Sequence, residues 1–197
     1  MPLALVLLGF LVYSLPPYST LDPATARTVL NEGFAAHYPL LVLHIATGTI
    51  AMLTVVLQVW PWLRARHPRV HRVSGRLYVF AGVLPSAVIA LVILPYTAVL
   101  PGAVGAAVTA VLWLVTTAAG FVRARQRRFA EHRRWMIYSF ALTASIVWGR
   151  VIGIGLGGVL GGMGLDLVVV AEMAGWMGTV INLVLAQWWL ARTSRAD

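Results

Sequence analysis

Residues 64–78 read Arg-Ala-Arg-His-Pro-Arg-Val-His-Arg-Val-Ser-Gly-Arg-Leu-Tyr, the densest basic run of the chain, set between two long apolar runs. A weaker copy spans Arg123 to Tyr138 and keeps the order Arg-Ala-Arg, His-Arg, Tyr-x-Phe. In hydrocarbon the backbone must satisfy its own hydrogen bonds, and a helix does so within one segment. The apolar runs are therefore expected to cross a bilayer as helices. The arginine runs are expected to stay on the cytoplasmic side.

Composition agrees. Charged residues make up 11% of the 197 and hydrophobic ones 60%, against about 25% charged in a soluble domain. The mean hydropathy is +0.84. A net charge of +9 would suit a nucleic-acid binder. However, thirteen of the 15 basic residues lie in segments 63–76 and 123–134 and in the C-terminal tail. That is the positive-inside pattern, so nucleic acid is set aside. All 15 are Arg. There is no cysteine, so disulfides, thiolate metal sites and cysteine nucleophiles are excluded.

An all-α polytopic bundle of six helices follows, with both termini cytoplasmic and the whole chain as one unit. The expected helices cover about 2–15, 38–62, 76–96, 101–122, 135–157 and 167–190, with basic loops at 63–76 and 123–134. The first is short for a span and would otherwise be a signal-peptide core, although no basic segment precedes it. Asp22-Pro23 reads as an N-cap with Pro in the first turn, opening a short interfacial helix over 23–35. Pro85 should kink the third helix. Turns are expected at 95–102 and 158–166. The two arginine runs also suggest a repeat of two parallel hairpins, since Arg64/Arg123, His71/His132 and Tyr78/Tyr138 lie 59 to 61 residues apart.

Three helices carry polar or small residues in steps of three and four, which puts each set on one face. They are His44, Gly48, Ala51, Val55 and Gln58; Ser139, Thr143, Ile146, Arg150, Gly153 and Gly157; and Glu172, Gly175, Thr179, Asn182 and Ala186. Such faces turn from lipid toward the bundle interior. His44, Arg150 and Glu172 fall at one depth, roughly 8–11 Å below the outer surface at 1.5 Å per residue. They form the leading candidate for a ligand or proton site, with Asn182 and Gln58 deeper. The structural alternative pairs Arg150 with Glu172 as a register lock and leaves His44 a hydrogen-bonded core residue. Gly149, Gly153, Gly157 and Gly161 recur every fourth residue, a close-packing signal within the chain or across a homodimer.

His71 and His132 occupy equivalent positions and are the candidates for haem b or a metal ion. Arg64, Arg66, Arg72, Arg76, Arg125 and Arg133 suit anionic lipid headgroups. No paired catalytic carboxylates, Walker loop, nucleophile elbow or zinc-protease motif is present. Three classes of function remain. They are a scaffold, sensor or assembly subunit in a membrane complex, a redox protein holding haem or quinone, and a small proton-coupled transporter.

Taken together, Leu43-His44-Ile-x-x-Gly48, Gln58, Pro68-x-x-His71-Arg72-x-x-Gly75-Arg76-x-Tyr78, His132-Arg133-x-Trp135-Met136, Arg150, Gly175-Trp176, Ile181-Asn182-Leu183 and Gln187-Trp188 resemble the bacterial membrane proteins of domain of unknown function 2306. The likeness spans roughly 40–190. It implies a multi-helix inner-membrane protein and carries no activity. Relatives tend to have Glu at the place of Gln187, and often Arg soon after Trp-Met, where this chain has Tyr138 and Ser139.

Overall fold

The structure is a computed structural model that describes residues 2–97, 100–163 and 166–193. All regular elements among them are helical. They are α1 (Pro2–Ser14), α2 (His37–Gln58), α3 (Pro61–Arg66), α4 (Pro68–Arg76), α5 (Leu84–Thr97), α6 (Leu100–Arg125), α7 (Phe129–Gly162) and α8 (Leu167–Thr193). Among the described residues, His37–Gln58, Pro68–Tyr96 and Ala103–Arg125 are long and apolar enough to cross a membrane. The chain divides into two compact units, Met1–Thr97 and Ala98–Asp197.

In the first unit α2 packs against α5 and the segment before it. The core is apolar, with Ala51, Val55, Tyr78, Val83 and Ala87 all buried. Residues 63–76, expected as a loop, are mostly helix. Pro61 and Pro68 each start a short helix at the first position, where the absent N–H costs nothing. Arginine is a good helix former, so basic composition did not mean irregular backbone.

Ahead of Pro85 the helix changes its winding. The seven residues Leu77–Val83 before it form a π-helix, with Leu84 N–H bonded to the Val79 carbonyl. A proline ring collides with the carbonyl four residues back in an α-helix. The wider π turn relieves that collision and joins α4 to α5 as one continuous rod.

The interfacial helix expected over 23–35 shrinks to one 3₁₀ turn, Pro23–Thr25. Asp22 does cap it, accepting from Ala24 N–H at 2.9 Å. The segment is held instead by Arg27 over the Tyr13 ring (4.4 Å) and Phe34 stacked on Tyr96 (4.1 Å).

In the second unit α7 lies along α8, and α6 packs on both. The loop expected at 123–134 contracts to three residues between α6 and α7. Arg128 N–H bonds the Arg123 carbonyl and Arg127 N–H the Ala124 carbonyl, a Schellman closure. Its left-handed residue is Arg127, at φ 60°. Arg127→Gly should therefore stabilise the unit by about 1 kcal/mol, the usual left-handed penalty of a side chain; an unchanged or lowered melting temperature would contradict this. Glu131 reinforces the turn with ion pairs to Arg123 (3.1 Å) and Arg128 (2.5 Å).

Helix α7 runs through Gly158 to Gly162, where a turn was expected. Pro95 lies inside α5 rather than in a turn. Residues 98–99 and 164–165, within the other parts of those two expected turns, lie outside the described residues.

Candidate functional site

His44 is in the first unit; Arg150 and Glu172 are in the second.

The half-buried His44 ring faces α5. Its Nδ1 is 2.9 Å from the Ser86 carbonyl and 3.1 Å from Ser86 Oγ. A carbonyl only accepts, so Nδ1 carries the proton in this contact and Nε2 presents its lone pair when the ring is neutral. Ser86 Oγ in turn donates to the His44 carbonyl at 3.3 Å. Ser86 is fully buried, and the exchange ties α2 to the first turn of α5. Gly48 lies beside the same hydroxyl, with 3.4 Å available to an added Cβ.

Gln58, in the last turn of α2, is buried and hydrogen-bonded. Its amide donates to Ser74 Oγ (2.6 Å) and to the His71 carbonyl (2.8 Å). This pins α4 across the end of α2. Gln58→Leu removes both bonds and should cost about 1–3 kcal/mol; unchanged denaturant unfolding would refute that role.

In the second unit the polar faces expected on α7 and α8 meet α6. Thr117 pairs with Ser139 (2.6 Å), Trp113 Nε1–H donates to Thr143 (3.0 Å), and Thr109 pairs with Thr179 (2.6 Å). Gly105, Thr109, Trp113 and Thr117 are four residues apart, so one stripe of α6 supplies all these partners. Sequence reasoning missed this stripe, although its spacing was as regular as the others. Asn182 is buried and donates to the Gly178 carbonyl of its own helix at 2.9 Å.

Glu172 Oε1 accepts from Trp176 Nε1–H and from Gly105 N–H (3.3 Å). Its Oε2 is sealed from solvent with no hydrogen-bond partner among the described residues. Arg150 is exposed. Among the described residues the ion pairs are those of Glu131, so the expected Arg150–Glu172 lock is not made. Opposite charge on facing helices does not fix which way a long side chain turns. Glu172→Gln keeps an acceptor for Trp176 and removes an uncompensated charge, so its melting temperature should equal or exceed that of the parent. A marked fall would show that the carboxylate is bound by a partner of opposite charge.

His132 repeats the His44 arrangement, with Nδ1 2.8 Å from the Gly120 carbonyl. It belongs to the second unit and His71 to the first. Among the described residues no three His, Asp or Glu cluster as a metal site would require. Arg64, Arg66, Arg72 and Arg76 are exposed on α3 and α4, and Arg125 ends α6. Arg133 donates to Thr193 at 3.1 Å.

Gly149 is a close-packing position within the chain. A Cβ on Gly178 of α8 would lie 3.1 Å from its backbone nitrogen. The side-chain surroundings of Gly153, Gly157 and Gly161 lie outside the described residues. Tyr138 of α7 donates to Gln187 of α8, a neutral hydrogen bond between the two helices.

A further buried group, not singled out in the sequence, is His37 at the start of α2. It is 1% exposed, and its Nδ1 accepts from Asn31 N–H at 2.9 Å. The proton then sits on Nε2 when the ring is neutral, where it has no partner among the described residues.

No curated protein and no solved structure matches the chain. Residues 41–190 match the family model described as "Predicted membrane protein (DUF2306)", and by that match over most of its length the chain belongs to this family of membrane proteins.

Proposed function

We propose that this protein is a multi-pass scaffold or assembly subunit of the bacterial inner membrane, with both termini and both arginine-rich segments on the cytoplasmic side. The observation that carries this reading is the engagement of interior polar groups by neighbouring helices. The polar stripe of α6 is taken up by α7 and α8, Gln58 by α4, and His44 Nδ1 by Ser86. Side chains so engaged fix helix register, which suits a protein that presents a defined membrane surface to a partner. Interhelical bonds of this kind in lipid each contribute about 0.6 kcal/mol, so a set of them determines register where single ones do not.

A second reading, a redox protein holding haem b or a quinone, is favoured by the two histidines with Nδ1 on backbone carbonyls. That contact fixes the tautomer and leaves Nε2 as the ligating atom of the neutral ring. His132 would hold the group through Nε2, and the group would supply one-electron transfer.

The deciding experiment is the absorption spectrum, oxidised and dithionite-reduced, of protein purified in mild detergent from haem-sufficient cells, followed by quinone extraction. A colourless sample with no extracted quinone supports the scaffold. A Soret band lost in His44→Ala or His132→Ala would overturn the scaffold in favour of the redox reading.

A further inference from the structure

In the second basic segment three of the six arginines have a side-chain partner. Arg123 and Arg128 share Glu131, and Arg133 has Thr193. Arg64, Arg66, Arg69, Arg72 and Arg76 have no carboxylate within ion-pair distance among the described residues. Three of them, Arg69, Arg72 and Arg76, recur at steps of three and four along α4 and share one face.

Immediately beside that face is an apolar one. Val73, Leu77 and Phe80 are 56%, 47% and 54% exposed. With Arg76 and Ala81 they line an open groove of about 340 Å³. The groove runs from the last turn of α4 along the π segment to Ala81, within the helix Pro68–Tyr96 that is long and apolar enough to cross a membrane. Trp60 and Trp62, with ring centroids 5.5 Å apart, lie just before the same segment. Paired indoles are characteristic of the headgroup level.

We propose that this groove is a binding site for one anionic phospholipid. Arg72 and Arg76, one helical turn apart, would take the phosphate. An acyl chain would lie along Val73, Leu77, Phe80 and Ala81. The guanidinium fork matches phosphate oxygens in pairs, which an ammonium does not. The unpaired positive charge excludes a cationic or neutral headgroup as the preferred occupant. The adjoining apolar strip needs a ligand with a chain, so a free phosphate ester would satisfy half of the site.

The test is native mass spectrometry of the full chain in mild detergent, with equal amounts of phosphatidylglycerol and phosphatidylcholine. One phosphatidylglycerol should be retained per chain, in preference to phosphatidylcholine. Arg72→Gln and Arg76→Gln should each lower that preference about fivefold, the contribution of one basic residue near an anionic surface. Both side chains are exposed, and circular dichroism checks that helix content is kept. Arg125→Gln, in the other basic segment, should leave the preference unchanged. Ala81→Trp should fill the groove and lower retention of both lipids. Equal retention of the two lipids, or an undiminished preference in Arg72→Gln and Arg76→Gln, would overturn the site. Soluble glycerophosphoglycerol competing as well as the intact lipid would overturn the acyl groove.

Discussion

Gly82→Ala is expected to destabilise the first unit by about 1–3 kcal/mol, the cost of overpacking a filled interior. An added Cβ at Gly82 would lie 2.9 Å from both Cα and Cβ of Ala51 and 3.0 Å from its nitrogen. Two of those three atoms are backbone, and Ala51 itself is fully buried. No rotamer change can make room, so α2 and the π segment must separate. That separation would also loosen the neighbouring His44–Ser86 exchange and the packing of Val55 and Val83. Gly82→Val should be worse still, and Gly9→Ala provides the contrast, since nothing lies within 4 Å of a Cβ there. Denaturant unfolding in mild detergent, followed by tryptophan fluorescence, reads the difference. A Gly82→Ala protein as stable as Gly9→Ala would mean that α2 and the π segment are not in contact.

Gly178→Ala should be comparably damaging in the second unit. The added Cβ would come within 2.6 Å of the Ser145 carbonyl oxygen and 3.1 Å of the Gly149 nitrogen. Both are atoms of the α7 backbone, so the helices must move apart. The spreading would be felt at Thr109–Thr179, one residue along α8, and at Asn182 one turn further. In membranes, helix association relies on such close backbone approach, because lipid tails are as apolar as the side chains they would replace. Gly175→Ala, on the same helix with open space around it, should be near neutral. Thermal melting of the pair separates a specific contact from a general intolerance of substitution in α8. Equal melting of the two variants would remove the α7–α8 glycine contact from the description.

The features legible in the sequence were those that add along the chain. Hydropathy and length gave the apolar helices, and steps of three and four put Ser139, Thr143 and Thr179 on inward faces. Helix ends were less legible. Arginine signals an interface to a reader of polarity, yet the backbone of 63–76 obeys proline placement and helix propensity instead. Contacts were least legible where the partner is backbone. His44 is held by the Ser86 carbonyl and His132 by that of Gly120, and every residue has a carbonyl. Arg150 and Glu172 illustrate the opposite error. Their charges and positions suggested a pair, but Glu172 is engaged by Trp176 and Gly105. A neutral donor four residues away on the same helix was a closer partner than the opposite charge on α7.

The π-helix Leu77–Val83 also sets how this chain tolerates changes of length. Removing one residue from an α-helix rotates everything beyond it by about 100°, which would swing Ser86 away from His44. A π segment has more residues per turn than its neighbours, like a hem let out by a stitch. Loss of one residue between 77 and 83 would tighten it to α geometry and preserve the faces on either side. The obstacle would be Pro85, whose ring would again meet the carbonyl four residues back. A one-residue deletion there should therefore fail alone and be rescued when Pro85 is replaced by alanine, making the proline and the extra residue a single heritable unit.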